Sequence, residues 1–192
     1  MTLIVPITTA RLILRQWQAD DVPAFVAMNQ DPEVMRYFPG TLSPEQSAGW
    51  AENCRALLEQ QGWGLWAIEV RDQHEFIGFT GLHAPSIDLP FNPCVEIGWR
   101  LKRSAWGKGF ATEAANAALR AGFEQVGLQE IVSFTSVVNT PSEAVMKRLG
   151  MTRDKQTFEH PSVPPGHVLR EHCVYRMSVA DWRHRQSLNA GQ

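Results

Sequence analysis

Cysteine is scarce in this chain, three among 192 residues, and Cys54, Cys94 and Cys173 lie far apart with no CxxC pair. The odd count and the spacing exclude a disulfide framework and a zinc knuckle, and they suit a reducing compartment. Long apolar runs are missing too, none reaching the ~18 uncharged residues of a membrane span. The apolar start MTLIVPITTARLILRQW has no basic segment and carries a proline, so it makes a poor signal peptide. Neither charge dominates: 18 Lys and Arg against 20 Asp and Glu give a net −2, no field to draw in DNA or an anionic membrane. These absences set the expectation of a cytoplasmic protein that binds neither nucleic acid nor membrane. The length fits a single domain over 1–192, with a core of about 8–183 and a tail at 184–192.

What the chain does have is apolar material, 44% of its residues, and seven tryptophans at 17, 50, 63, 66, 99, 106 and 182. Core, interface and site are all open to those rings. Alternation in RLILRQ (11–16) predicts a first strand. Two helices follow, one over 20–29 and one opened by Ser43-Pro44-Glu45-Gln46 with Trp50, Cys54, Leu57 and Leu58 at helical spacing. Residues 64–70 and 76–83 read as a hairpin, and 95–101 as a further strand with Val95, Ile97 and Trp99 on one side and Glu96, Gly98 and Arg100 on the other. From Gly109 to Val126 a stripe of alanines predicts a helix that packs closely on a sheet. A strand over 131–138, a short helix capped by Thr140 and ended by Gly150, and a last antiparallel pair at 151–158 and 168–178 complete a mixed α/β order.

The sharpest chemical signal is Trp106-Gly107-Lys108-Gly109-Phe110-Ala111-Thr112-Glu113-Ala114, a glycine turn between a strand and a long helix. Such a turn exposes amides at a helix N-terminus and suits a phosphate. It is not a P-loop, because Lys108 is followed by Gly109 and no glycine stands five residues before Gly107. It is not a dinucleotide fingerprint either, since Thr112 stands in the third glycine position and no acidic residue ends the next strand. A plain structural loop stays open.

The stretch resembles the coenzyme A pyrophosphate loop of the GNAT superfamily of N-acetyltransferases: glutamine or arginine, two residues, glycine, any residue, then glycine or alanine. Here Trp106 takes the first place, Gly109 the fourth and Ala111 the last. Tryptophan in the first place, in WGKGFATEA, is similar to the branch of RimJ and RimL ribosomal-protein N-terminal acetyltransferases. The strand VEIGWRL (95–101), Asn139-Thr140-Pro141-Ser142, and Lys147-Arg148-Leu149-Gly150-Met151 agree with it. So do TARLILRQWQADD and the segment from Tyr175 to Trp182.

The resemblance implies a GNAT-like α/β fold of the α+β type, with a mixed, mostly antiparallel sheet of 6–7 strands flanked by helices on both faces. It implies acetyl-CoA as co-substrate, no metal, and an amine acceptor, either a protein N-terminus or a small molecule, attacked directly in a ternary complex by a monomer or homodimer. Backbone groups near Trp99 and Leu101 would hold pantetheine, with Asn139 on its amide. The amides of Gly107, Lys108, Gly109, Phe110, Ala111 and Thr112 would hold the pyrophosphate, with Trp106 as part of the loop. Glu96 would be the general base, against the alternative of a salt-bridged strand glutamate. Ser142 would be the acid for the thiolate, or a mere helix-start residue, since Met146 stands where many members carry a tyrosine. That substitution also keeps open a non-catalytic acyl-CoA sensor. The acceptor pocket would draw on about 25–50 and 158–170. The His160, His167, His172 and Cys173 group lacks zinc spacing, so its histidines read as solvent or substrate-loop residues, and Cys94 and Cys173 read as buried small hydrophobes.

Overall fold

A computed structural model describes residues 5–190. Its centre is one eight-stranded sheet, one or two strands more than the sequence predicts, in the order β1-β2-β3-β4-β5-β6-β8-β7. The strands are β1 (Ile7–Thr8), β2 (Leu12–Arg15), β3 (Leu65–Val70), β4 (Glu75–His83), β5 (Glu96–Leu101), β6 (Glu130–Ser136), β7 (Thr152–Glu159) and β8 (Glu171–Ser178). The two-residue β1 is too short for alternation to reveal. Every neighbouring pair is antiparallel except β5 and β6, which run parallel and pair only at Glu96 and Val132. Beyond that single rung the two strands part. The sheet therefore has a cleft at its middle that begins at Glu96.

Helices cover both faces. α1 (Asp21–Gln30), the short α2 (Pro32–Met35) and α3 (Pro44–Gln61) form one layer, in which α1 packs on β4 and on α3. The expected capping box starts α3: Ser43 Oγ accepts from the Gln46 amide while Gln46 Oε1 accepts from the Ser43 amide. Gly62, at φ 79°, closes it. On the opposite face α4 (Phe110–Arg120) lies over β2, β4 and β5. Ala114, Ala115 and Ala118 are fully buried beneath it, as their small size allows. The helical periodicity to Val126 continues as a π-helical stretch, Ala121–Val126, in which Gly122 sits so close to Ile131 and Leu82 that a Cβ would meet their methyls at 2.8 Å.

Two expectations are corrected. α5 (Thr140–Leu149) is capped by Asn139, whose Oδ1 accepts from the Ser142 amide at 3.3 Å, so Thr140 is the first helical residue and not the cap. The segment read as a tail forms α6 (Val179–Ala190). Trp182 packs its ring 5.4 Å from Phe123, and Arg185 donates to the Arg148 carbonyl at 2.6 Å, contacts too distant in sequence for a local pattern to reveal. Residues 191 and 192 lie outside the described residues. Among the described residues no helix is long and apolar enough to cross a membrane. Cys54 and Cys173 are buried and burial raises both thiols, Cys54 to about 12, so they serve as small core hydrophobes.

Candidate active site

A cavity of about 1360 Å³ runs along the cleft between β5 and β6 and reaches both helical layers. It is lined by Glu96, Trp99, Leu101, Trp106, Gly107, the 109–112 turn, Asn139 and Ser142. Of the candidate catalytic and coenzyme-binding residues, only Lys108 lies off its wall, with an exposed side chain; from the histidine and cysteine group, His167 and Cys173 lie off it too. The structure thus gathers the rest around one space.

The glycine turn has the shape that an anion requires. Gly107 and Gly109 lie at φ 73° and 79°, where a Cβ is disfavoured, and Gly109 starts α4. The first-turn amides of Phe110, Ala111 and Thr112 have no intrahelical acceptor, no side chain among the described residues caps the helix at Gly109, and the helix dipole adds positive character where they point. The turn is braced from outside by a pair that local patterns could not reveal. Arg11 donates from Nη1 to the Lys108 carbonyl at 2.9 Å, bonds Glu113 through Nε at 2.7 Å, and lies over the Phe110 ring at 4.6 Å. Thr9 Oγ1 also donates to Glu113 at 2.7 Å. Trp106 ties the turn to the sheet, its Nε1 donating to the Leu101 carbonyl at 2.8 Å.

Along β5 the backbone groups alternate in direction. The Ile97 carbonyl accepts from Ser133 Oγ of β6 at 2.9 Å, so two residues on, the N–H and C=O of Trp99 also face the gap where β6 has diverged. Those groups are free to bond an extended chain laid in the cleft. The Leu101 carbonyl is taken by Trp106, which leaves its amide. Asn139 holds the far wall together, donating to Thr135 Oγ1 at 2.8 Å and Ser142 Oγ at 3.1 Å.

Glu96 lies at the apex of the cleft and is largely buried. Removal from water favours its neutral form and pushes its carboxyl up to about 8. Its Oε2 lies 3.3 Å from Nε2 of His83, its partner across β4 and β5. Burial lowers the His83 imidazole, and its Nδ1 is enclosed with no hydrogen-bond partner among the described residues. The pair lies thirteen positions apart in sequence, so no motif announced it. Glu96 accordingly contributes most to stability when protonated: in full below the ordinary 4.5, lost as the pH rises through about 8. His83 acts in the opposite sense, but only below its ordinary 6.5. Denaturant titrations between pH 6.5 and 8 should therefore show stability falling with pH by up to about 1.4 kcal/mol per unit in the wild type. In Glu96→Gln this fall should be absent; an equal slope in both proteins would contradict the assignment.

The remaining features divide. Trp17 is buried and donates to the Leu65 carbonyl at 2.8 Å, while Trp50, at the helical spacing of α3, packs 4.5 Å from Phe79 and also borders the cavity. Trp63 borders it as well. His160 and His172 stack 4.7 Å apart on its wall, and burial lowers both, His172 to about 4. Tyr175 is not on the wall; it donates to Glu143 at 2.6 Å.

The acetyltransferase (GNAT) domain model matches residues 11–152. The FsC-acetyl coenzyme A-N(2)-transacetylase of Aspergillus fumigatus is 29% identical over 187 residues, covering 93% of this chain and 78% of its own. The crystal structure of an acetyltransferase from Agrobacterium tumefaciens superposes with a TM-score of 0.73 at 30% identity, covering 92% of this chain and 96% of that one. RimL, the ribosomal L7/L12 α-N-protein acetyltransferase, in complex with coenzyme A, shares the fold at 22% identity, with a TM-score of 0.70 over 92% of this chain and 99% of its own.

Proposed function

Because the chain belongs to the GNAT acetyltransferase family, with the family's model spanning 142 of its residues from 11 to 152, we propose that it moves the acetyl group of acetyl-CoA to a primary amine in a ternary complex, with Glu96 as base. The observation that carries this reading is the junction of three things on one cavity: uncapped amides at the start of α4, a free strand edge at Trp99, and a buried carboxyl where β5 and β6 separate. An anion fits the first, an extended amide-bearing arm the second, and an amine the third.

Bound acetyl-CoA supplies a thioester carbonyl. The turn amides hold its pyrophosphate, and Trp99 and the Leu101 amide hold its arm. Glu96 takes a proton from the incoming ammonium, and the match between its value near 8 and the ~8 of an α-amine makes that transfer nearly thermoneutral. The amine nitrogen forms its bond to the carbonyl carbon, the C–S bond breaks and the sulfur leaves as thiolate, and the second proton that the nitrogen sheds in becoming an amide restores the one given to that sulfur. Ser142 is the candidate donor to that sulfur. Its Oγ accepts from Asn139, which leaves its own hydrogen to give. Ser142→Ala should slow turnover about tenfold with little change in acetyl-CoA affinity, measured by steady-state kinetics and calorimetry; unchanged kcat would hand the proton to water.

The reading as a whole is tested by calorimetric titration with acetyl-CoA and with NAD. Micromolar binding of the first alone is the expected result. Absence of heat with acetyl-CoA would overturn it. The mostly antiparallel sheet already speaks against a dinucleotide site, which belongs to a parallel doubly wound sheet.

A further inference from the structure

The acceptor can be narrowed by a cation that, among the described residues, has no anionic partner. In β4 and β5 the opposed pairs Phe79 and Arg100, Gly81 and Gly98, and His83 and Glu96 share one face of the sheet, the face under α1 and α3. Arg100 therefore stands on the same side as Glu96, and both line the cavity. Its Nη1 donates to Asn29 Oδ1 at 2.7 Å, and its guanidinium lies 4.1 Å over the Phe38 ring and 5.4 Å from that of Phe79. Its Nε is shut off from solvent and, among the described residues, has no hydrogen-bond partner. Among the described residues it makes no ion pair. The nearby cavity residues Glu33 and Arg36 pair with each other at 3.6 Å. A desolvated guanidinium held by a neutral amide and two rings is half a recognition site, and a carboxylate or similar oxyanion completes it.

The floor between the two charged ends is bare. Gly81 has no room for a Cβ, which would meet the Gly64 carbonyl oxygen at 2.0 Å. Gly98 is different: a Cβ there would meet nothing within 4 Å. Open space therefore stands over Gly98, between Glu96 and Arg100. Side chains stand roughly upright from a strand at ~3.3 Å per residue, so the two ends are about 13 Å apart, and a contact of about 3 Å at each leaves about 7 Å.

We propose that the acceptor is a primary amine bearing a carboxylate or other oxyanion about 7 Å away, lying over Gly98 with its amine at Glu96 and its anion on Arg100. This rests on the acetyl-transfer reading. Two sources present that chemistry: free ω-amino acids, and peptide N-termini with an acidic residue near the end.

The test uses full-length protein and matched pairs. ω-Aminocarboxylates of increasing chain length are compared with their carboxamides, and peptides beginning Ser-Glu with those beginning Ser-Gln. Thiol release from acetyl-CoA gives kcat/KM, and tryptophan fluorescence in the presence of CoA gives binding without turnover. The carboxylate member of one series should lead its neutral twin about 10- to 100-fold, and the series that does so identifies the source. Arg100→Met should bring the ratio near one with acetyl-CoA affinity kept, Arg100→Lys should retain part of it, and Gly98→Leu should obstruct both members. Equal or better use of the neutral twins by the wild type overturns the proposal. So does a preference that survives Arg100→Met. Should that variant fail to fold, the wild-type ratio and Gly98→Leu decide. Carboxylate-selective binding with no thiol released from any amine would sink the acetyl-transfer reading while upholding Arg100; turnover without selectivity would do the reverse.

Discussion

Replacing Gly109 by valine should weaken acetyl-CoA binding about 10- to 100-fold while leaving the far-UV spectrum and the thermal midpoint close to the wild type's. Gly109 lies at φ 79° at the start of α4. A β-branched residue there is strained by about 1–3 kcal/mol, and the chain escapes by turning the peptide, which swings the amides of the turn out of convergence. At about 1.4 kcal/mol per tenfold, that strain sets the expected range. Space is a lesser concern, since the new Cβ would meet only the flexible end of Arg11 at 3.4 Å. Calorimetry decides it. Affinity unchanged by Gly109→Val would remove the turn from the site.

Glu96→Gln should reduce kcat by about 10²–10⁴-fold, the usual contribution of a positioned general base, and leave the affinity for acetyl-CoA as it was. The amide keeps the shape of the carboxyl but accepts no proton. Steady-state rates from pH 6 to 9.5 should also separate the two proteins. The wild type should gain activity as the pH rises through about 8, where the buried carboxyl ionises. Full activity of Glu96→Gln at pH 8 would take Glu96 out of the reaction.

How far the sequence led can be judged from particular residues. Glu96 and Arg100 were placed on one side of their strand by simple alternation, and the register of β4 and β5 agrees. The glycine turn and its helix were legible because positive φ and an alanine stripe are local properties. What completes the site is not local. His83 meets Glu96 through strand pairing, Asn29 reaches Arg100 across 71 residues, and Arg11 braces the turn across 97. The two-residue β1, the cap at Asn139 and the helix α6 were missed for related reasons. A two-residue strand carries no period, Asn139 and Thr140 are both acceptable caps, and α6 is held by Trp182 and Arg185 against distant residues. That Arg100 makes no ion pair among the described residues could be seen only once their carboxylates had positions.

Calorimetry alone does not separate acetyl transfer from a sensor that merely binds acetyl-CoA. Free-thiol release from acetyl-CoA, followed with a broad panel of amines and with mass spectrometry of the acceptor, addresses this most directly. The predicted result is stoichiometric thiol and an acceptor heavier by one acetyl group with the wild type, both lost in Glu96→Gln. Tight acetyl-CoA binding with no thiol released from any amine would contradict it.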